Sequence, residues 1–167
     1  MNKSVRCFFA CLITFFSLPA VSGIRLDTSF GDGGYVQTNV AKFNDSIQQT
    51  KSVLVQTDGK IVIAGIDYYG DDRNFALIRY NTDGTRDLGF GESGQVSTDF
   101  GGVEELLDLV QQANGKIVAA GWTTSNSILL IRYNIDGSVD ETFGVAGKVN
   151  TDTDGRAIPN SIIVQDD

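Results

Sequence analysis

The residues that could do chemistry are few in this chain, and their types exclude most reaction classes. Its 167 residues include no His, which removes the commonest general base, the Ser-His and Cys-His nucleophile systems and the commonest zinc ligand. Glycoside cleavage needs two carboxylates across one cleft, and the Glu residues are Glu92, Glu104, Glu105 and Glu141. Glu104 and Glu105 are adjacent, so on a strand they point to opposite faces. We interpret all four as solvated charges and predict a protein that is not an enzyme and holds no cofactor.

Oxygen-bearing side chains recur at close spacing in two predicted turns. The pattern Asn-x-Asp-Gly-x-x-Asp occupies residues 81–87 and 134–140, and its spacing resembles that of calcium-binding loops. The ligand order of an EF-hand is not matched, however, and no Glu closes the site. Asn and Asp side chains commonly bond their own backbone in turns. We therefore favour turn formation over a calcium site.

Two other predicted loops place aromatic rings beside carboxylates. The candidate ligand-binding residues are Tyr68, Tyr69, Asp71 and Asp72 in one loop and Trp122 in the other. Such rings can stack on sugars while the carboxylates bond sugar hydroxyls. The alternative is that the rings cap strand ends and pack on the neighbouring sheet, which is the commoner role of aromatic residues near strand ends. We favour this alternative, and the binding hypothesis stays open.

Charged and aromatic residues also recur at equivalent places in the chain. Arg79 and Arg132 each lie inside an otherwise apolar predicted strand, and an unpaired buried charge is costly. We therefore predict that Arg79 pairs with Asp87 and that Arg132 pairs with Asp140. Three aromatic residues, each followed by Gly, are predicted to pack between neighbouring sheets: Phe30, Phe90 and Phe143.

These residues belong to internal repeats. The pattern Asp-x-x-Phe-Gly-x-x-Gly-x-Val occurs at 27–36, 87–96 and 140–149. Each full unit holds four strand candidates separated by turn signals, and the second candidate is apolar on both faces, which suits a strand buried between two layers. Four antiparallel strands in a repeat of this length are typical of a β-propeller blade.

The predicted fold class is all-β, with antiparallel four-stranded blades of a β-propeller. About two and a half repeats give an incomplete, open propeller, whereas closure takes four to eight blades. We therefore expect a piece of a longer repeat protein, or copies that associate with one another. We predict a leader at 1–22 and a repeat region at 23–167. Within the repeat region, we predict a leading strand at about 26–40, blade one at about 47–100, blade two at about 103–152 and the start of a third blade at 158–167.

The repeat motifs also resemble a known family. Gln-x-Asp-Gly-Lys, Arg-Tyr-Asn-x-Asp-Gly and Asp-x-x-Phe-Gly-x-x-Gly follow one another in fixed order, and in this they are similar to the bacterial delta-60 repeat family. The resemblance covers residues 26–167. It implies an exported bacterial protein with tandem repeats that form a β-propeller, and it implies no reaction and no catalytic residues.

The N-terminal segment predicts export. Lys3 and Arg6 precede an apolar run at residues 7–18, and small residues follow as far as Ser22, which is the order of a secretory signal peptide. The run is shorter than the roughly 20 residues that span a bilayer, although an uncleaved anchor is the alternative. Removing 1–22 leaves no Cys and 11 basic against 21 acidic residues. Because phosphate binding needs clustered basic residues, we expect no nucleic-acid partner.

Loop lengths differ at only one end of the predicted blades. The connections between second and third strands, and from a fourth strand to the next unit, differ between the units by three and four residues, whereas the other connections keep their length. We call these two ends the variable end and the fixed end. Variable loops on one face of a repeat protein often bind the ligand. We predict a periplasmic, cell-surface or extracellular protein with a structural, adhesive or ligand-binding role and a protein or glycan partner; the alternative is a carbohydrate-binding or calcium-dependent module.

Overall fold

The computed structural model describes residues 25–37, 47–69, 72–124, 126–155 and 157–165. Its eight strands form two four-stranded antiparallel sheets with spatial orders β1-β2-β3-β4 and β5-β6-β7-β8 and no helix among the described residues. The prediction of an all-β fold with four-stranded blades is confirmed. Blade one contains β1 (Ile47–Val55), β2 (Ile61–Tyr69), β3 (Asp72–Tyr80) and β4 (Gln95–Thr98); blade two contains β5 (Glu104–Gln111), β6 (Ile117–Thr123), β7 (Ser127–Tyr133) and β8 (Lys148–Asp152).

The second strand of each unit lies inside its sheet, as its composition predicts. β2 pairs with β1 on one side and with β3 on the other. In β6, Ile117 and Ala119 face the core while Val118 and Ala120 on the opposite face are also buried. A strand with both faces covered can be apolar throughout, which explains the β-branched run in this part of each repeat.

The main core lies between the two blades. One face of blade one contributes Phe75 and Leu77, and the facing side of blade two contributes Leu106 and Tyr133. The Tyr133 hydroxyl is also buried and donates to Thr98 Oγ1 at 2.9 Å, which joins β7 to β4 of the other blade. A second, smaller cluster covers the opposite face of blade one around Ile78 and Tyr80. Blade one therefore packs against blade two with one face only.

Successive units meet through a repeated joint. We call the three Asp-x-x-Phe-Gly-x-x-Gly-x-Val segments the leading corner (27–36), the middle corner (87–96) and the trailing corner (140–149), and the two Asn-x-Asp-Gly segments the first turn (81–84) and the second turn (134–137). The Gly31 N–H of the leading corner donates to Asp83 O in the first turn at 2.7 Å. The Gly91 N–H of the middle corner donates to Asp136 O in the second turn at 2.7 Å. The leading and middle corners therefore each hold the turn of the unit that follows them.

The first strands of successive units are linked as well. Ser52 of β1 donates through Oγ to Asp108 Oδ1 of β5 at 2.8 Å. Ser161, which occupies the same place in the repeat as Ser52, donates to Asp108 Oδ2 at 3.1 Å. Ile162 N–H donates to the same oxygen. Asp108 therefore connects equivalent positions of three consecutive units.

Two predicted strands differ from the structure. Residues 25–37 form turns with an isolated bridge between Gly31 and Tyr35 in place of the leading strand, and residues 38–40 lie outside the described part. Residues 157–165, where the third blade was predicted to start, have no regular secondary structure, and 166–167 also lie outside the described part. A strand needs a partner along its edge, and no described segment offers one at either place. The predicted signal peptide at 1–22 is likewise outside the described residues.

Candidate functional site

A cleft opens at the variable end of blade two. The connection at 99–103 leads from blade one into β5, and the loop at 123–127 joins β6 to β7. Because both connections lie at the same end of the antiparallel sheet, they enclose a volume of about 170 Å³. The side chains that give this cleft its chemistry are Phe100, Glu104, Thr123, Thr124, Lys148 and Asn150.

Glu104 is the central residue of the cleft. It begins β5, pairs in register with Thr123, and is only 2% exposed. Burial raises the pKa of its carboxyl, and the negative charges of Asp99 and Asp72 act in the same direction. A hydrogen bond from the Phe100 N–H and the charge of Lys148 oppose that rise.

One oxygen of this carboxyl has no partner. No described residue donates a hydrogen bond to Glu104 Oε2, although the atom is buried. A buried polar atom without a partner costs on the order of 1 to 3 kcal/mol, so native structures contain few of them. Because Glu104 is one of the residues that line the cleft, a ligand donor that reached this atom would be favourable.

Lys148 and Phe100 supply the other chemistry of the cleft. Lys148 begins β8, and its Nζ lies 4.8 Å from the centroid of the Phe100 ring, in the range of a cation–π contact. Asn150, two residues further along β8, adds an amide that can donate and accept. The cleft thus combines a carboxylate acceptor, two nitrogen donors and an aromatic ring.

The aromatic candidates of the first loop lie outside this cleft. Tyr68 is half-buried near the end of β2, and the Arg73 guanidinium lies over its ring, 5.3 Å from the centroid. Arg73 also forms an ion pair with Glu105 of blade two. Tyr68 is therefore connected through Arg73 to the seam between the blades, close to the packing role that we favoured from the sequence.

The remaining candidates are placed separately. Tyr69 is the last residue of β2. Asp72 is exposed at the start of β3, and its negative charge raises the pKa of Glu104 in the cleft. Trp122 is half-buried in β6, in register with Glu105 on the neighbouring strand. Asp71 lies outside the described residues. Of the candidates whose side chains the structure describes, none of Tyr68, Asp72 and Trp122 lines the cleft beside Glu104, and the role of the five candidates in binding stays a prediction.

Sequence reasoning missed Glu104, which we interpreted as a solvated charge. The structure corrects that interpretation, since the residue is buried. The available signal was the alternation of the strand, because Glu104 and Leu106 are two apart and share the face that packs into the core. Its neighbour Glu105 points to the other face and pairs with Arg73.

At the fixed end the two turns use their own oxygen ligands. Asp83 Oδ1 accepts from Thr85 N–H at 2.8 Å, and Asp136 Oδ1 accepts from Ser138 N–H at 3.0 Å. Hydrogen bonds of this kind, first from the Thr85 and Ser138 hydroxyls, lower the pKa of both carboxyls. The side chains make the turn contacts that we favoured, and a search of the described residues finds no group of three or more acidic or Cys side chains placed to hold a metal.

Both predicted ion pairs are present, and each is part of a network that also contains a lysine. Arg79 Nε lies 2.7 Å from Asp87 Oδ2, and the equivalent Arg132 Nε lies 2.6 Å from Asp140 Oδ2. Each Asp also binds a lysine from the hairpin turn before the second strand, Lys60 at 2.8 Å and Lys116 at 2.7 Å. Burial raises the pKa of Asp87, but the bonds from Lys60 and Arg79 outweigh it and hold that pKa below its ordinary value.

Two segments of the chain match one family model. That model is described as a domain of unknown function, DUF5122, with a β-propeller fold, and it matches residues 56–90 and 112–143. Both DUF5122 segments begin at the Gln before a hairpin turn and end at the Phe of a corner, so they include the charge networks of the fixed end. Glu104, Phe100 and Lys148 lie outside them. A comparison with curated proteins gives no match.

The fold and the DUF5122 match agree. The two sheets have the four antiparallel strands of propeller blades, and each contains one matched segment. Each sheet therefore has the architecture of a β-propeller blade and contains a segment similar to this β-propeller family of unknown function. Among its described residues, no helix has the length and apolar character needed to cross a membrane.

Proposed function

We propose that this chain is an exported, non-catalytic binding module built from β-propeller repeats of the delta-60 type, and that it takes a polyhydroxylated ligand such as a sugar in the cleft beside Glu104. The observation that carries the proposal is the buried Glu104 carboxyl with an oxygen that lacks a hydrogen-bond donor. A ligand hydroxyl supplies such a donor and adds no charge. Ligand binding would then satisfy an atom that the fold leaves unsatisfied.

The other groups of the cleft fit the same ligand class. Lys148 and Asn150 can donate to ring and hydroxyl oxygens, and the Phe100 ring offers an apolar surface. The volume of about 170 Å³ is smaller than the roughly 300 Å³ at which drug-sized pockets begin. A single ring or the terminal residue of a longer glycan suits that size.

Binding without catalysis suits the acidic groups of the cleft. Hydrolysis of a glycoside uses two carboxyl groups about 5 to 10 Å apart. Glu104 is the one carboxylic acid among the described residues that line the cleft. Its position supports the role of a hydrogen-bond acceptor for the ligand.

Export is supported by the N-terminal sequence. Lys3 and Arg6, the apolar run at 7–18 and the small residues that follow have the order of a signal peptide, and the resemblance to delta-60 repeats points the same way. A glycan or a glycoprotein at the cell surface is the partner that this location offers. The role would be structural or adhesive.

A glycan array with purified wild-type protein and the Glu104→Gln variant tests the proposal. We expect wild-type binding to a subset of glycans and a loss of about tenfold or more in the variant, because a hydrogen bond to a charged acceptor contributes about 1.5 to 3 kcal/mol. Glu141→Gln is the matched control, since Glu141 is exposed at the fixed end. If Glu104→Gln and Glu141→Gln bind the same glycans equally well, or if the wild-type protein binds no glycan, the assignment of the cleft as a sugar-binding site is refuted. Loss of binding on calcium removal would favour the calcium-dependent alternative.

A further inference from the structure

The joint between successive units is built from the same parts each time. In the middle corner, Gly91 binds the second turn through its N–H, and the methyl groups of Val96 lie over Gly137. A Cβ on Gly137 would lie 2.9 Å from Val96 Cγ2, so the contact requires glycine. The leading corner binds the first turn in the same way through Gly31.

The trailing corner has these parts but holds no turn. Gly144 has a φ of +58°, close to the +55° of Gly91, and the Val145 N–H bonds Lys148 O just as Glu92 N–H bonds Gln95 O. No described residue accepts a hydrogen bond from the Gly144 N–H. Phe143 is half-buried, whereas its equivalent Phe90 is fully buried.

Arg132 of β7, which pairs with Asp140 of the trailing corner, also binds no turn of a following unit among the described residues. In blade one, Arg79 Nη1 donates to Ile135 O of the second turn at 2.6 Å, and its side chain is 6% exposed. The equivalent Arg132 binds Asp140 and Thr142 within its own unit, and its side chain is 20% exposed. Arg132 thus keeps a guanidinium beside the position where the carbonyl of a third turn would lie.

Single positions on the outer faces of the two blades show the same difference, although Ile78 and Tyr80 on the outer face of blade one are buried in a cluster of their own. On blade one, Val53 is 59% exposed, whereas its equivalent Leu109 on blade two is 5% exposed beneath blade one. On the far face of blade two, Leu130 is half-buried, whereas its equivalent Leu77 is fully buried between the blades. The two outer faces are therefore the two halves of the interface that the chain already forms internally.

We propose that a second copy of this chain covers these faces, with the trailing corner of one copy holding the first turn of the next. The leading corner of the second copy occupies that turn in the isolated chain. It provides the Gly31 N–H but no arginine, whereas a trailing corner provides the Gly144 N–H together with Arg132. The incoming corner thus makes one more bond to the turn than the segment that it replaces.

The exchange releases two end segments that belong to no sheet. The leading corner leaves the first turn. Residues 157–165, held beside β5 by the bonds of Ser161 and Ile162 to Asp108, leave the place beside β5 that the second copy takes. The contact is head to tail and so closes only as a ring. Because propellers close with four to eight blades, a ring of two to four copies is expected. This assembly is independent of the sugar-binding proposal.

Substitution of Val53 tests the assembly without disturbing the single chain. We expect sedimentation velocity of the purified wild-type protein to show a dimer or larger ring at high micromolar concentration. Val53→Lys should give a monomer, because the new charge would be buried only in the assembly. Leu88→Lys is the matched control, since Leu88 is 70% exposed at the fixed end and lies outside both faces, and it should assemble like wild type.

A second variant should move the equilibrium in the opposite direction. Val36 packs on Gly84 of the first turn, so Val36→Lys weakens the leading corner and should increase the assembled fraction at a given concentration. A monomeric wild-type protein at high micromolar concentration would overturn the proposal. An assembly that persists in Val53→Lys, or one that Val36→Lys weakens, would overturn it as well.

Discussion

Replacing Arg79 by Met measures the strength of the joint between the blades. The substitution keeps the length of an apolar stem and removes the guanidinium. Three contacts are lost: the bond to Asp87, the bond to Ile135 O across the joint, and the cation–π contact with Phe90, whose ring centroid lies 4.3 Å from Cζ.

The magnitude follows from how deeply the pair is buried. Both Arg79 and Asp87 have little exposed side-chain surface, and removal of one partner from a buried pair costs about 3 to 5 kcal/mol. Lys60 remains bound to Asp87 and keeps its charge compensated, which reduces the cost. We expect the free energy of unfolding to fall by about 2 to 3 kcal/mol, of which the bond to Ile135 O contributes about 1.5 kcal/mol.

Urea melts of wild type, Arg79→Met and Arg132→Met measure these losses. Arg132 is the matched control because it pairs with Asp140 as Arg79 pairs with Asp87 but binds no turn of a following unit. Arg132→Met should therefore destabilise the protein less than Arg79→Met. A loss below about 1 kcal/mol for Arg79→Met, as for a solvent-exposed pair, or equal losses for both variants, would refute the reasoning.

Two further predictions concern the second turn and the cleft. Gly137→Ala should destabilise the protein by more than about 1 kcal/mol, because Gly137 has a φ of +88° and its Cβ would meet Phe90 and Val96 at 2.9 Å; Gly155→Ala, which has open space around it, should leave the melting curve unchanged. Glu104→Gln should match wild type in stability near pH 4 and exceed it near pH 7. The pKa of Glu104 is raised above its ordinary 4.5, so its stabilising contribution is present below that pH and is lost as the pH rises through the folded-state pKa. A stability difference that stays constant with pH in urea melts would contradict this account.

The repeat pattern predicted most of the fold because it constrains neighbouring positions together. Short apolar runs between turn motifs predict strands, and their recurrence in the same order predicts a blade. The Arg79–Asp87 pair followed from the cost of a lone buried charge. The lysines that join these pairs were not predicted, since Lys60 and Lys116 lie in hairpin turns where a charge is usually solvated.

The candidate site was harder to predict because it depends on contacts between units. Glu104 is buried beside the connection at 99–103, where the Phe100 N–H bonds its carboxyl, and no local pattern specifies the path of that connection. The predicted outer strands at 26–40 and 158–167 lie partly outside the described residues and stay predictions: a strand pattern such as that at 158–165 forms a strand only where another edge pairs with it. Local sequence predicts which segments can pair, but not which of them find partners.

The acceptors of the joint are all main-chain atoms. Arg79 and Gly91 donate to carbonyl oxygens of residues 135 and 136, and Gly31 donates to the carbonyl of residue 83. A corner therefore recognises the path of the next turn's backbone and the absence of a Cβ at its glycine, and it is indifferent to the side chain at the exposed position 135. At this joint the units are interchangeable: one could be duplicated, deleted or moved along the chain without creating a mismatched contact between a corner and a turn. Meanwhile, the loops at the variable end can diverge freely, so a gene that lengthens by copying units would acquire new binding surfaces while keeping the same joints.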